Sequence, residues 1–261
     1  MSNSTELNIG NHHVEIDGGE LVSYQVDGHE FMHQKGNPGW RNVDTEMFPI
    51  IGPTNEADFR VKTLKGTAIQ DQHGLLREMN YGLTKTSESS AVFIKKYSAN
   101  KVVLNSKYPN KSNEEKLSWP YDFEFQKSFE LKEDGLEITF TISGEEGMPF
   151  MLGYHPAFMI RSENAKIFTG DRELTIPEIM AVGSRALQVP DTTTILLKDD
   201  RAVQIKTEGF GHFMLWTEVP NMVCIEPITF YPYTVAQQDL AEGFMYLKNK
   251  PMTFKVSLNP M

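Results

Sequence analysis

His155 and Glu226 are the two residues of this sequence whose type and setting best suit proton transfer. His155 follows an apolar run, Met148 to Gly153, and precedes Pro156, which lacks an N–H group for strand pairing and tends to end a strand. An imidazole at a strand end faces a rim or a cleft, and its ordinary pKa of about 6.5 lets it give or take a proton at neutral pH. A histidine hydrogen-bonded within the core explains this motif equally well.

Glu226 lies in phase with Met222 and Cys224 on an alternating strand, so its carboxylate shares their face, and Pro227 is expected to end the strand. A carboxylate beside apolar neighbours is costly unless it is paired or takes part in chemistry. As a general base it needs a pKa below the operating pH, which a nearby protonated histidine would help to maintain. A salt-bridged glutamate at a strand end is the alternative, but the setting favours a functional role.

His73 and Arg77 form a weaker signal. They flank Gly74 in a segment rich in polar residues, which suits a binding loop that carries hydrogen-bond donors. Arg77 could equally pair with Glu78 or Asp71 at the surface.

Two tryptophans and the single cysteine complete the candidates. Trp40, beside a stretch rich in Gly and Pro, lines a cleft or anchors a loop, whereas Trp216 is expected in the core. Cys224 alone cannot form a disulfide within the chain or a Cys-rich zinc site. The histidine pairs lack the acidic or Cys partners of a metal site, and no phosphate loop or dinucleotide fingerprint is present, so neither a metal nor an organic cofactor is expected.

Period-2 alternation dominates the chain and predicts strands. The clearest case is a hairpin in which Phe123 to Leu131 and Leu136 to Ile142 flank a Gly-containing turn. Short helical turns are expected at Pro177 to Val182 and Val235 to Phe244, with irregular structure over 168–194 and a polar surface loop over 105–120. This pattern favours an all-β fold built as a large antiparallel sandwich.

Length and composition suit one large domain. All-β sandwiches commonly reach 261 residues as a single unit, so we expect one domain over residues 1–261. An apolar fraction of 39% can fill a sizeable core, and a formal charge of −10 would repel nucleic acids and anionic membranes. The acidic charge makes a neutral ligand the expectation. The sequence has no signal-peptide pattern and no apolar run of membrane-spanning length, which predicts a cytoplasmic protein.

The clusters fall in a characteristic order along the chain. An opening hairpin at 17–31 and Met47 to Gly52 are followed by His-Gly-x-x-Arg at 73–77, Gly-Tyr-His-Pro-Ala-Phe at 153–158 and Cys-Ile-Glu-Pro at 224–227. This set resembles the aldose 1-epimerase (galactose mutarotase-like) family, most closely its bacterial LacX-type branch. The likeness spans nearly the whole chain, and the last two motifs are the most specific.

The resemblance implies a supersandwich of large antiparallel sheets with few short helices, and an isomerase that interconverts the α and β anomers of a hexose or hexose derivative without a cofactor. It makes His155 the general acid that protonates the ring oxygen and Glu226 the base that takes the C1 hydroxyl proton. His73 would hydrogen-bond the sugar near C1, and Arg77 would help to hold it. The expected partner is a small-molecule sugar, and a homodimer is compatible with this resemblance.

Two departures from the family pattern leave the substrate open. Pro53-Thr54-Asn55 stands where many relatives have a sugar-contacting arginine, so Asn55 or Arg60 is a candidate substitute. The aspartate that orients a sugar hydroxyl in galactose mutarotase has no clear counterpart. A hexose-phosphate epimerase, with Arg41, Arg60 and Arg77 as candidate phosphate ligands, and a non-catalytic sugar-binding protein are the alternatives.

Overall fold

A computed structural model of the chain describes residues 4–261, and β-strands dominate it. Residues 1–3, which the predicted domain includes, lie outside this range. The strands are β1 (Ser4–Ile9), β2 (His12–Asp17), β3 (Glu20–Val26), β4 (His29–Glu30), β5 (Glu46–Met47), β6 (Arg60–Thr63), β7 (Gly66–Ile69), β8 (Gly82–Thr86), β9 (Ser90–Tyr97), β10 (Val103–Leu104), β11 (Lys116–Leu117), β12 (Phe123–Lys132), β13 (Gly135–Gly144), β14 (Pro149–Phe150), β15 (Gly153–Tyr154), β16 (Ala157–Met159), β17 (Lys166–Thr169), β18 (Arg172–Thr175), β19 (Leu187–Val189), β20 (Thr194–Lys198), β21 (Ala202–Glu208), β22 (His212–Trp216), β23 (Met222–Ile228), β24 (Met245–Tyr246) and β25 (Met252–Pro260).

Helical structure is confined to short segments. They are α1 (Ile176–Val182) and 3₁₀ helices at Asn55–Ala57, Leu75–Glu78, Gly183–Arg185, Pro232–Thr234 and Gln237–Gly243. The two predicted helical regions are confirmed, but the prediction of irregular structure over 168–194 is wrong, because β18, α1 and β19 lie there. A capping box between Thr175 and Glu178 begins α1. Across residues 4–261, no helix combines the length and the apolar character needed to cross a bilayer.

The strands form three large sheets and three two-stranded ones within the described residues. The nine-stranded sheet has the order β18-β17-β20-β21-β25-β13-β12-β9-β8, and β1 to β4 form a four-stranded sheet. The six-stranded sheet has the order β19-β22-β23-β15-β5, with β16 also paired to β23. Strand pairs at the centre of each are antiparallel. The predicted all-β class with large antiparallel sheets is confirmed.

The hairpin of β12 and β13 shows how the alternating sequence builds the core. Phe125 and Phe129 are fully buried, while Gln126 and Ser128, which point to the other face, are partly exposed. Lys132 pairs with Gly135 across a two-residue turn, as predicted. Burial of each large apolar side chain contributes about 1.5–3 kcal/mol, which makes this face of the nine-stranded sheet a main source of stability.

Lys127 interrupts the buried phenylalanines of β12 and is itself 0% exposed. Its Nζ lies 2.9 and 2.8 Å from the two carboxylate oxygens of Asp44 and 2.8 Å from Glu46 Oε1. Tyr154 Oη donates a hydrogen bond of 2.6 Å to Asp44 Oδ2. Burial alone lowers the pKa of Lys127, but the two carboxylates outweigh it and the net pKa is raised. The ammonium group is therefore charged and paired inside the core.

Candidate active site

Strand register brings His155 and Glu226 together on one face of the six-stranded sheet. On one side of His155, Gly153 pairs with Ile228, and on the other side Ala157 pairs with Cys224. The two pairings have the same register. Cross-strand neighbours in such a pair point to the same face, so His155 lies directly opposite Glu226. His155 Nε2 is 3.3 Å from Glu226 Oε1, and both side chains are buried, with 9% and 2% of their side-chain surface exposed.

β23 continues through Pro227 to Ile228, so the prediction that Pro227 ends this strand is wrong. Pro227 lies opposite Phe213 of β22 without donating a hydrogen bond. Pairing is kept by its neighbours, since the Gly211 N–H donates to the Ile228 carbonyl. Glu226 consequently lies within a central strand and not at a strand end, which fixes its position more firmly.

A cavity of about 670 Å³ opens beside this pair. Three other predicted site residues, His73, Arg77 and Trp40, also line it. These five residues come from four separate parts of the chain, and the fold brings all of them to one cavity. A pocket of this size and polarity can take a small polyol.

Burial governs the charges of the pair. It raises the pKa of the Glu226 carboxyl to about 8, although the Arg77 guanidinium acts in the opposite direction. It lowers the pKa of the His155 imidazole to about 3, and the positive charge of Arg77 adds to the lowering. The expectation that a protonated histidine keeps the pKa of Glu226 low is therefore wrong, because His155 is neutral and desolvation of the carboxylate outweighs the opposing charge of Arg77.

His73 is presented to the cavity by a strained turn. Its φ is +71°, and the following Gly74 has a φ of +78°. A Cβ at position 74 would lie 2.2 Å from the Phe48 carbonyl oxygen, so the sequence needs glycine there. His73 Nδ1 accepts a hydrogen bond of 3.3 Å from the Gly52 N–H, which assigns the neutral ring's proton to Nε2. Burial lowers the pKa of His73 well below its ordinary value, so this ring is a neutral hydrogen-bond donor.

Arg77 reaches the cavity from the 3₁₀ helix Leu75–Glu78. Its Nη2 donates a hydrogen bond of 3.0 Å to Thr45 Oγ1, and its buried Nε has no hydrogen-bond partner. Within residues 4–261, no carboxylate lies within ion-pair distance of this guanidinium, although the sequence allowed a pair with Glu78 or Asp71. Its Nη1, which is not buried and makes no hydrogen bond within the described residues, is available to a ligand.

Two tryptophans surround the His155 ring. Trp40 stacks on it with ring centroids 4.2 Å apart and an interplanar angle of 29°. Trp216 meets it edge-on at 6.2 Å and also lines the cavity, so the expectation that Trp216 is a core residue is wrong. Trp216 is paired with Cys224 on β23, a cross-strand contact that alternation along β22 alone does not reveal.

The predicted substitutes for the missing arginine do not reach this cavity. Asn55 lies in an exposed 3₁₀ helix outside the lining residues, and Arg60 pairs with Glu114 at 3.4 Å. The structure therefore does not bring Asn55, a predicted substrate-binding residue, to the site. Its place in sequence after Gly52 was the only signal for it, and the chain turns outward there.

Three charged lining residues, Lys107, Lys111 and Glu218, were missed by the sequence analysis. The two lysines add positive charge to the cavity together with Arg41, which the sequence analysis named as a candidate phosphate ligand, and Glu218 adds a carboxylate. The two lysines belong to the polar segment 105–120 that was predicted as a surface loop. Composition alone marks such a segment as exposed, and only the tertiary structure shows that it borders the cavity.

One cluster near the site has metal-binding residue types. Ligand atoms of His155, Cys224 and Glu226 lie within 4.8 Å of one another, and all three residues are buried. A cysteine binds a metal ion as the thiolate. Burial and the charge of Glu226 raise the pKa of the Cys224 thiol well above its ordinary value, which keeps it protonated. The environment of Cys224 therefore opposes metal binding at this cluster.

Known proteins with this architecture are galactose mutarotase-like. A galactose mutarotase-like protein from Lactobacillus casei ATCC 334 is 16% identical, with a TM-score of 0.79 and coverage of 99% of this chain and 100% of that chain. A galactose mutarotase related enzyme from Lactobacillus acidophilus is 21% identical, with a TM-score of 0.77 and coverage of 99% and 97%. An aldose epimerase homologue from C. elegans is 9% identical, with a TM-score of 0.69 and coverage of 100% and 99%. At these identities the likeness shows a shared fold.

Sequence comparison shows the family. No curated protein matches the chain significantly. The sequence model of the family described as aldose 1-epimerase matches residues 63–212, which is more than half of the 261 residues. That match includes His73, Arg77 and His155, and the galactose mutarotase-like fold extends over nearly the whole chain. The chain therefore belongs to the aldose 1-epimerase family.

Proposed function

We propose that this protein is an aldose 1-epimerase that interconverts the α and β anomers of a hexose or hexose derivative. The observation that carries the proposal is the 3.3 Å separation of His155 Nε2 and Glu226 Oε1 beside a polar cavity. Ring opening puts a proton on the ring oxygen and takes one from the C1 hydroxyl, and both oxygens are bonded to C1. An acid and a base that lie side by side suit this requirement.

The pair carries a single proton at neutral pH, and the proposed roles follow from where that proton resides. In the free protein it lies on Glu226, because the pKa of Glu226 is about 8 and that of His155 about 3. Sugar hydroxyls that donate to the carboxylate favour its ionised form, which moves the proton to His155. His155 then protonates the ring oxygen while Glu226 takes the C1 hydroxyl proton. Rotation about C1–C2 exposes the other carbonyl face, and ring closure reverses both transfers.

Other lining residues hold the sugar in this proposal. His73, whose Nε2 lies 3.2 Å from the side-chain amide of Gln72, contacts the sugar together with that amide, and Arg77 Nη1 donates to a sugar oxygen. Trp40 offers an apolar surface to the sugar ring. Within residues 4–261, two carboxylates line the cavity, those of Glu226 and Glu218, so Glu218 is free to bind a sugar hydroxyl. We assign it the hydroxyl-accepting role for which the sequence offered no aspartate. Neither proton transfer requires a metal or an organic cofactor.

Polarimetry tests the proposal directly. Freshly dissolved α anomers of several aldoses should approach rotational equilibrium faster with the protein than without it, after correction for spontaneous mutarotation. An equal rate with and without protein across the panel contradicts enzymatic function. Sugar binding by calorimetry under those conditions would then identify a non-catalytic binding protein.

The pH profile of kcat/KM should be bell-shaped. Above a pH of about 8 the pair loses its single proton, because Glu226 ionises while His155 is already neutral, and the rate falls. Toward a pH of about 3 His155 gains a second proton, and the rate falls on the acidic side as well. Polarimetry from neutral to alkaline pH measures the first limb. The same limb should disappear in Glu226→Gln, and a parent profile that rises steadily through this range contradicts a one-proton pair.

A phosphorylated hexose is a second candidate substrate, favoured by one observation. Arg41, Lys107 and Lys111 line the cavity although the chain carries a formal charge of −10. Lys107 already pairs with Asp71 at 3.2 Å, whereas within residues 4–261 Arg41 and Lys111 have no ion-pair partner. Two cations that line the pocket without an ion-pair partner within residues 4–261 suit an anionic substituent on the sugar.

Replacing Arg41 or Lys111 by Gln should separate the two substrates. Loss of one charge-assisted contact, worth about 1.5–3 kcal/mol, is expected to raise KM for hexose 6-phosphate by about tenfold or more and to leave KM for the free hexose unchanged. Lys116→Gln is a matched control, since it removes a cation of the same segment outside the cavity. Equal KM values for the phosphate in parent and variants would exclude a phosphate contact at these residues.

A further inference from the structure

We infer that a buried network centred on Lys127 positions the active-site residues. This lysine network consists of Lys127, Asp44, Glu46, Tyr154 and Lys95. None of these five side chains lines the 670 Å³ cavity. Three chain segments are nevertheless attached to the network, each one residue away from a site residue or from Thr45, which contacts both Arg77 and His155.

The first segment leads into β5 and contains Thr45, the residue before that strand. Asp44 and Glu46 both contact Lys127 Nζ, so the residue between them is held with its side chain toward the opposite face. Thr45 Oγ1 accepts the 3.0 Å hydrogen bond from Arg77. The carbonyl of Thr45 accepts the N–H of His155 at 2.8 Å. Thr45 thus links the network to both a binding residue and the proposed acid.

The second segment is the strand that leads to His155. Tyr154 pairs with Glu46 in the sheet, and its hydroxyl donates to Asp44 Oδ2 at 2.6 Å. Successive side chains of a strand point to opposite faces, so anchoring Tyr154 in the core directs His155 into the cavity. A continuous path therefore runs from Lys127 through Asp44 and the Tyr154 hydroxyl to the neighbouring His155.

The third segment is the 3₁₀ helix that carries Arg77. Lys95 Nζ donates a hydrogen bond of 2.9 Å to the carbonyl of Leu76, the residue before Arg77. The same ammonium lies 3.8 Å from Glu46 Oε2. Lys95 thereby connects the Arg77 backbone to the carboxylate that Lys127 holds.

The chemistry of the network explains why it suits positioning. Two carboxylates face two ammonium groups, so the buried charges balance, and each contact is directional. An apolar core of equal volume would pack in several ways, whereas the charges are satisfied in one arrangement of the three segments. Geometry at a reacting centre is demanding, because a misplacement of about 1 Å can cost about 100-fold in rate.

Tyr154→Phe tests the inference with the least disturbance, because it deletes one hydroxyl and keeps the ring. The kinetic arm rests on the proposed function: we expect kcat for mutarotation to fall about tenfold, with KM unchanged. Tyr97→Phe is the matched control. Its hydroxyl accepts the Trp119 N–H at 2.9 Å in a buried site outside the cavity, so its loss should lower stability and leave kcat unchanged.

A second measurement does not depend on turnover. The ¹⁵N and ¹H resonances of the His155 ring, identified by their absence in His155→Asn, should shift in Tyr154→Phe and in Asp44→Asn but not in Tyr97→Phe. Unchanged His155 resonances and unchanged kcat in both network variants would overturn the inference and leave a purely stabilising role. Shifted resonances in a protein without mutarotase activity would support it while contradicting the proposed function.

Discussion

Glu226→Gln and His155→Asn are each expected to lower kcat for mutarotation by about 10²–10⁴-fold, the usual contribution of a positioned acid or base. Each amide keeps the size and some hydrogen bonding of the original side chain but cannot exchange a proton at neutral pH. Because the two groups share one proton and act as a unit, the double variant should be little slower than either single one. Initial rates by polarimetry, at a sugar concentration well above KM, measure the effect.

A buried histidine outside the cavity supplies the control for this experiment. His12 is 8% exposed and lies 3.0 Å from the Tyr24 hydroxyl, so His12→Asn removes a buried imidazole without touching the proposed site. It should retain the parent kcat at a temperature where it is folded. If either active-site variant also keeps the parent rate, the assigned proton transfers are wrong, whatever the fold of the variants.

Lys127→Met is expected to lower the free energy of unfolding by about 3–5 kcal/mol. Methionine fills much of the same volume, but Asp44 and Glu46 then lose the charge that compensates them in the core. Burial already raises the pKa of Asp44 to about 6 against the opposing effect of Lys127, and removing the ammonium should raise it further. Urea unfolding followed by tryptophan fluorescence gives the change from the shift in midpoint at constant slope.

Lys96→Met on the neighbouring strand is the matched control. Lys96 forms an exposed pair with Glu124 at 2.8 Å, and its side chain is 75% exposed. Such pairs contribute about 0–1 kcal/mol, so this variant should unfold close to the parent midpoint.

A double variant tests the role of charge balance in the core. Because Asp44→Asn restores neutrality, adding it to Lys127→Met should lower the free energy of unfolding by less than the sum of the two single changes. A Lys127→Met protein as stable as the parent would show that the network adds no net stability.

Much of the fold could be predicted from local pattern. Period-2 alternation identified β12 and β13 and their turn, because one face of each strand is buried and the other is wet. The same rule missed Lys127, which occupies a core-facing position among phenylalanines. Alternation distinguishes faces but says nothing about a buried charge whose partners, Asp44 and Glu46, lie more than eighty positions earlier in the chain.

The proposed proton-transfer pair was also predictable, but its electrostatics were not. Short motifs around His155 and Glu226 resembled those of a known family. The direction of their pKa shifts depends on how much water the folded cavity excludes, which no motif records. Lys107 and Lys111 carried no motif, so their place beside the cavity emerged only from the folded loops.

The sequence by itself determined the all-β class, the main hairpins, the family and the residues proposed as acid and base, because these depend on residue type, alternation and short motifs. Tertiary structure decided what those residues face: the register that sets His155 opposite Glu226, the turn outward at Asn55, the cations around the pocket and the lysine network behind it. The physical reason is range, since side-chain chemistry and strand period are local properties. Burial, register and charge pairing depend on chain segments that meet only when the protein folds.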